Sequence, residues 1–251
     1  MNNPALPIRT LGVIPARLAS SRLPRKVLRE IAGRPLLAWV VDAARACQQL
    51  DQVLVATDSD EVVALCNRLG VPVQITSPDL PSGTDRVHAI AQRIDADIYV
   101  NVQGDEPLLR PEHIAALLRP FAHPHVDVTT LKVPCTLENI ANPNAVKVVT
   151  ATDGRALYFS RATIPYHRDP ADPAPQYWKH IGLYAYRRAA LNRFPTLPTS
   201  RLERSERLEQ LRFLENGLAL YVEPTEYDTI GVDTEADLIG VEQILLARPS
   251  Y

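Results

Sequence analysis

The sequence predicts an α/β fold built on a mostly parallel sheet, and three observations carry this. Short apolar runs alternate with segments of helical periodicity through the first half. Those runs are almost continuously apolar, as expected of strands covered on both faces by crossover helices. After about residue 125 the pattern changes, and strand-like runs follow one another without long helices between them.

The predicted strands of the first half are TLGVIP (10–15), QVLVAT (52–57), VPVQIT (71–76) and DIYVNVQ (97–103), with helices at 35–49, 59–69 and 84–94. In open parallel sheets ligands sit beyond the carboxyl ends of the strands. The loops after VIPA, VQIT and VNVQ are therefore expected to line one crevice. In the second half VDVTTLKVP, NAVKVVTA, RALYFSRATIP and KHIGLYAYR read as strands in hairpins or mixed pairing. The proline-broken stretch 164–178 between the last two reads as an exposed excursion. SRLERSERLEQLRFLENG (200–217) reads as one helix, with Leu208, Leu211 and Leu214 in register and Asn216-Gly217 as its stop. GVDTEADLIGVEQILLA gives a last turn and helix, with Thr234 as N-cap and acidic charge near the start rather than a full capping box.

Composition narrows the class. With 251 residues, 46% hydrophobic and a net charge of -2, the chain has a generous core and no basic excess of the kind a nucleic-acid binder carries. Its three cysteines, Cys47, Cys66 and Cys135, are far apart and include no C-x-x-C pair, so neither a disulfide framework nor a zinc site is indicated. No signal pattern precedes the first strand and no apolar run reaches the ~20 residues of a membrane span, which leads us to expect a cytoplasmic location.

The most informative stretch is IPARLASSRLPRKVL. It follows the first strand, where many α/β enzymes carry a glycine-rich phosphate loop, yet it holds no glycine. Ala16, Ala19, Ser20 and Ser21 keep the backbone accessible, and Arg17, Arg22, Arg25, Lys26 and Arg29 supply charge. Small residues let amide N–H groups approach an anion, arginine offers forked donors and lysine a point charge, a combination suited to a triphosphate. A solvated basic loop is the plain alternative; position and cation density favour the anion site.

VNVQGDEP ends a buried strand in a carboxylate. Asp105 there is a natural Mg²⁺ ligand, because Mg²⁺ prefers one or two carboxylates plus phosphate oxygens. An Asx turn would leave the same trace. In GVDTEAD, Gly231 permits close approach and Asp233 could bring a second carboxylate, although alone the motif reads as helix-start charge. PSGTDR (81–86) offers Ser82, Gly83, Thr84, Asp85 and Arg86 on the loop after the third strand, suited to base or ribose recognition or to a simple helix cap. Arg161, His180, Tyr184, Glu209 and Gln210 are singly more often structural; Glu209, four residues before Phe213, borders the apolar stripe of its helix.

Taken in order, IPARLASSRLPRK, VATDS, PSGTDRV, VNVQGDEP, NPNAVKVV, ALYFSRATIPY, KHIGLYAYR, LEQLRFLENG and GVDTEADL resemble the 3-deoxy-manno-octulosonate (Kdo) cytidylyltransferases over almost the whole chain. The resemblance implies a Rossmann-like nucleotide-diphospho-sugar transferase fold, with a smaller mixed β lobe used for dimerisation. It also implies one nucleotidyltransferase domain: a nucleotide-binding half at about 1–125, a sugar-binding and dimerisation part at about 126–225, and a metal loop and helix at 226–251. The implied reaction transfers CMP from CTP to the anomeric hydroxyl of Kdo, an eight-carbon acidic sugar, with Mg²⁺ as cofactor and a homodimer as the working form. Arg17, Arg22 and Lys26 match the family's triphosphate cations, and Asp105 and Asp233 its metal-binding aspartates. Ser82 to Arg86 match the nucleotide loop, and Gln103, Arg161, His180, Tyr184, Glu209 and Gln210 the sugar pocket. One departure is visible. The residue before the lysine is often glycine in the family and is Arg25 here, expected to point into solvent. Competing readings are an 8-amino-Kdo or sialic-acid cytidylyltransferase, a sugar-1-phosphate nucleotidyltransferase (which would carry a G-x-G-T-R type loop) and a non-catalytic nucleotide-binding module.

Overall fold

The computed structural model describes residues 9–18 and 22–247, so Ala19, Ser20 and Ser21 of the first loop lie outside the described residues. The chain divides at Ile114 and Thr229 into two compact units, the second being Ala115–Asp228.

In the first unit, strands β1 (Thr10–Ala16), β4 (Gln52–Thr57), β5 (Val73–Ile75) and β6 (Ile98–Asn101) form a wholly parallel sheet in the order β6-β1-β4-β5. Val13 and Ile14 are consecutive and both fully buried, as are Val55 and Ala56. Successive side chains of a strand point to opposite faces, so both faces of this sheet are covered. The crossovers are helices α1 (Leu36–Ala46), α2 (Asp60–Leu69) and α3 (Gly83–Ala91). Helix α1 buries Leu37, Val40, Val41 and Ala44 at helical spacing, and α2 stops at Gly70 in the left-handed conformation its C-cap requires. Between β1 and α1 lie a 3-10 turn (Lys26–Leu28) and a small hairpin, β2 (Glu30–Ile31) with β3 (Arg34–Pro35). Its turn takes Ala32 and Gly33 to positive φ, which Ala32 does not advertise in the sequence. Helix α4 (Pro111–Leu118) follows β6, and α9 (Glu235–Ala247) closes the described chain. Helix α4 is absent from the sequence reading because its apolar run, IAALL, is short and continuous rather than periodic.

The second unit is mixed. Strand β7 (Val128–Pro134) pairs antiparallel with β10 (Trp178–Arg187) and parallel with β11 (Leu220–Pro224). Strands β8 (Lys147–Thr150) and β9 (Ala156–Ser160) form an antiparallel pair, with β8 also bridged to β10. Short helices α5 (Leu137–Ile140), α6 (Arg188–Arg193), α7 (Arg201–Glu206) and α8 (Gln210–Glu215) complete it. Tyr186, Phe194 and Phe213 pack in the core, with Phe213 centred 5.7 Å from Tyr186 and 5.2 Å from Phe194. Residues 161–177 carry no helix or strand, as their prolines predict.

One expectation changes. The single helix over 200–217 is two helices, broken where Arg207 adopts φ 56°. Ser200 and Glu203 form a complete capping box at the start of α7, and Glu203 also pairs with Arg212 of α8, fixing the bend from both sides. The run HIGLYAYR is interior: Ile181, Leu183, Ala185 and Tyr186 are buried. Among the described residues, no helix is long and apolar enough to cross a membrane.

Candidate active site

Adjacent parallel strands deliver the first cluster. The loop leaving β1 carries Arg17, Arg22 and Lys26, and the loop leaving its neighbour β6 carries Gln103, Gly104 and Asp105. A backbone bond from the Val232 amide to the Asp105 carbonyl, 2.9 Å, draws in the segment that bears Asp233. These residues, with Pro15 and Gly83, line a cavity of about 290 Å³.

At its floor the Lys26 ammonium donates to Asp105 Oδ2 at 2.5 Å and to Asp233 Oδ1 at 2.9 Å, and Arg22 reaches Asp233 Oδ2 at 2.9 Å. Burial draws the Lys26 pKa down, but Asp105 and then Asp233 outweigh it, and the ammonium ends above its ordinary value. Two carboxylates from remote parts of the chain thus converge on one cation. Arg17 donates to the Leu80 carbonyl at 3.3 Å, tying the cationic loop to the one that carries Gly83.

Backbone geometry explains several of these positions. A Cβ on Gly104 would lie 2.6 Å from the Pro15 carbonyl oxygen, so only glycine lets the Asp105 loop pack against the end of β1. Gly231, read from the sequence as the close-approach glycine, meets only an ordinary contact, 3.8 Å from Glu106 Oε1. Asp233 is held by Asp237, whose Oδ2 accepts from the amides of Asp233 (3.1 Å) and Thr234 (2.8 Å), while the Asp237 amide donates to Thr234 Oγ1 at 3.2 Å. This is a reciprocal cap where only loose helix-start charge was expected. Burial acts to raise the Asp237 pKa, and the hydrogen bonds from Thr234 and the two amides overcome it and hold it low. The T-x-x-D spacing of Thr234 and Asp237 was the available signal. Arg25 has φ 59° and ψ 28°, the left-handed conformation glycine adopts freely. Its side chain is exposed, as expected, and pairs at the surface with Glu61 of α2.

Within 82–86 the residues separate. Gly83 lines the cavity. Ser82 caps α3 by accepting from the Asp85 amide at 3.1 Å, and its hydroxyl donates back to the Asp85 carboxylate at 2.7 Å. Thr84 and Arg86 are buried. The Arg86 guanidinium, fully enclosed, bonds Asp58 Oδ2 at 3.0 Å and the Thr76 hydroxyl.

In the second unit, Tyr184 and His180 stand together on β10, their rings 5.6 Å apart, with Phe159 edge-on to His180 at 4.9 Å. A bulge between Ile181 and Tyr184 shifts the pairing there, and the Thr130 hydroxyl lies 2.8 Å from His180 Nε2. Burial pushes the His180 pKa down to about 3, so the ring is neutral at pH 7. Burial, then Tyr186 and Glu209, raise the Tyr184 phenol well above its usual value. Gln210 is 5% exposed, and its side-chain nitrogen has no hydrogen-bond partner among the described residues. Arg161 is turned to carbonyls, with Nε on Glu206 O at 2.7 Å and Nη1 on Pro143 O at 2.9 Å. Glu206 was not foreseen.

The chain matches the cytidylyltransferase family over residues 11–224. It is 66% identical over 241 residues to the 3-deoxy-manno-octulosonate cytidylyltransferase of Acidobacterium capsulatum, covering 96% of this chain and 98% of that protein. To the protein of the same name from Koribacter versatilis it is 59% identical over 241 residues, 96% of this chain and 92% of that one. Among solved structures it resembles a CMP:2-keto-3-deoxy-manno-octonic acid synthetase complexed with CTP, with a TM-score of 0.91 at 40% identity over 95% of this chain and 98% of that one.

Proposed function

Because the chain belongs to the 3-deoxy-manno-octulosonate cytidylyltransferases, we propose that it transfers CMP from CTP to the anomeric hydroxyl of Kdo. Pyrophosphate leaves, and the product is CMP-Kdo, an activated sugar for lipopolysaccharide biosynthesis. The observation that carries this reading is the convergence of Asp105 and Asp233 on one cation inside a cavity walled by Arg17 and Arg22.

That donor set fits Mg²⁺. Two carboxylate oxygens already share a positive charge, and among the described residues no group of three or more His, Cys, Asp or Glu would enclose an ion alone. Phosphate oxygens would complete the shell, as Mg²⁺ sites commonly do. We assign Asp105 and Asp233 as its ligands; when bound, Mg²⁺ supplies Lewis-acid neutralisation at the phosphate and a lower pKa for the attacking hydroxyl.

The remaining steps belong to the chain. Arg17, Arg22 and Lys26 bind the triphosphate and balance the charge that grows on departing pyrophosphate, electrostatic work that suits preorganised cations. Gly83 offers backbone close to the nucleotide; Ser82 and Asp85 hold that loop as its cap. Thr84 and Arg86 are proposed to shape it from below. Arg161 carries the positive charge an acidic sugar needs. Neutral His180 serves as a hydrogen-bond partner and not as a base, and Gln210 has a buried donor to offer a sugar hydroxyl. Tyr184 and Glu209 are further sugar contacts of the second unit, and Gln103 is assigned a sugar-binding role by the resemblance alone. No nucleophilic side chain is required, since the sugar hydroxyl attacks.

The test is pyrophosphate release from CTP and Mg²⁺ with Kdo, its 8-amino analogue, sialic acid, or no sugar. We expect turnover with Kdo and a kcat/KM with sialic acid lower by roughly 100-fold or more, a margin attainable when buried polar groups of the site are left unpaired. Equal or faster turnover of sialic acid would overturn the assignment, and CTP binding without turnover of any sugar would favour the non-catalytic module.

We further propose that the working form is a homodimer acting in the cytoplasm. Leu137, Leu157 and Tyr166 of the second unit are exposed by 89%, 53% and 84%, large apolar side chains that a subunit contact would shield from water. A dimer mass is expected by light scattering at micromolar concentration, and a monomer mass there would remove the proposal.

A further inference from the structure

Three residues of the motif ALYFSRATIP meet one side chain that the resemblance does not assign, and a fourth joins them indirectly. Ser160 Oγ donates to Glu206 Oε1 at 2.6 Å, and the Arg161 amide donates to Glu206 Oε2 at 2.9 Å. Ala162 joins through Ser160, its amide donating to the same hydroxyl at 3.0 Å. The Tyr158 phenol also lies against this carboxylate: burial first, then the Glu206 charge and a hydrogen bond to it, raise its pKa. Glu206 further offers its own carbonyl to Arg161 Nε at 2.7 Å.

The tie extends in both directions along the chain. Arg161 Nη1 continues to Pro143 O, and the wholly buried Lys147 holds the carbonyls of Asn142 (2.7 Å) and Ala145 (2.6 Å), so the loop 142–145 is pinned from two side chains. Glu206 is also the last residue of α7. Arg207 in its left-handed conformation and Leu208 are all that separate it from Glu209 and Gln210. A shift of the Glu206 backbone therefore moves the Arg161 guanidinium and the Gln210 amide together. Arg161 meanwhile spends Nε and Nη1 on uncharged carbonyls, which orient the group without cancelling its charge.

We propose that Glu206 is a positioning residue for the acidic sugar, registering Arg161 against Glu209 and Gln210 from behind the sugar-binding surface. This rests on the sugar-pocket reading above. A tie that merely closed a helix end would contribute to stability and leave the two substrates equally affected.

Steady-state kinetics of E206A, E206Q and S160A, each checked by circular dichroism, separate these roles. The loss of hydrogen bonds to a charged group should raise the KM for Kdo about 10-fold in E206A while the KM for CTP stays within about twofold. E206Q keeps one good acceptor and should recover part of the loss; S160A removes a single partner and should raise the Kdo KM about threefold. Unchanged Kdo KM in the folded variants, or equal rises for both substrates, overturns the proposal; if E206A does not fold, E206Q and S160A decide it. A wild-type protein that fails to turn over Kdo refutes the function itself, and the Glu206 role with it. Normal wild-type turnover with unmoved variants refutes the Glu206 role alone.

Discussion

Asparagine in place of either Asp105 or Asp233 should lower kcat by roughly 100-fold or more, the scale seen when one electrostatic contact to a transition state is removed. The exchange keeps shape and removes one negative charge from the proposed metal site and from beside the Lys26 ammonium, which the two residues face at 2.5 and 2.9 Å. If the two carboxylates hold the one Mg²⁺ proposed above, the losses should not multiply in the double variant. Circular dichroism should show intact folds for the single variants, because Lys26 keeps the second carboxylate as its partner in each. Near-normal turnover by Asp233→Asn at limiting Mg²⁺ would reduce Asp233 to a helix-start charge held by Asp237.

The second large effect is on stability. Arg86 is fully buried and its Asp58 partner's side chain is only 11% exposed. Burial lowers the Arg86 pKa and Asp58 acts to restore it. Removing one partner of a buried pair leaves an uncompensated charge, so Asp58→Ala should cost about 3–5 kcal/mol. For a chain of this length that is a fall in Tm of about 6–20 °C. Replacing both residues, Asp58→Leu with Arg86→Met, removes the charge along with its partner and should return much of the loss, since apolar pairs often substitute neutrally for buried ion pairs. A melt in which Asp58→Ala shifts by less than about 2 °C would show that water reaches Arg86 and that the pair is not sealed.

What the sequence reveals depends on whether a feature is local. Strands β1, β4 and β6 were legible because burial on both faces leaves an unbroken apolar run, as in Val13-Ile14 and Val55-Ala56, whereas β5 is only Val73–Ile75 and none of its residues is buried. The cationic loop and Asp105 were legible because their residue types are unusual at strand ends; Asp233 follows no strand, read alone as helix-start charge, and was singled out only by the resemblance. Asp237 was legible in principle, three residues after Thr234. Glu206 was not, because its partners at 160 and 161 are remote in sequence and nothing about a helical glutamate marks it. The break at Arg207 and the hairpin turn at Ala32 were hidden for another reason. Arg207 and Ala32 are ordinary L-residues at positive φ, where glycine or asparagine would have signalled a turn, and at the hairpin only the second position, Gly33, carried that signal. The role of Gly104 depends on a carbonyl at position 15, visible only once the strands are aligned.

Strands β1 and β6 are paired from Thr10↔Ile98 to Val13↔Asn101, and the loops bearing Lys26 and Asp105 spring from their ends. The ladder of backbone bonds thus fixes where the Asp105 loop leaves the sheet beside β1, and the Lys26 side chain closes the remaining distance. A slip of one residue in that ladder would move Asp105 by about 3.3 Å and invert every side chain beyond it. Catalytic competence is therefore all-or-nothing with respect to strand alignment. A misaligned conformer would have no weakened version of the site, and the pairing, joining residues nearly ninety positions apart, must close before any activity exists.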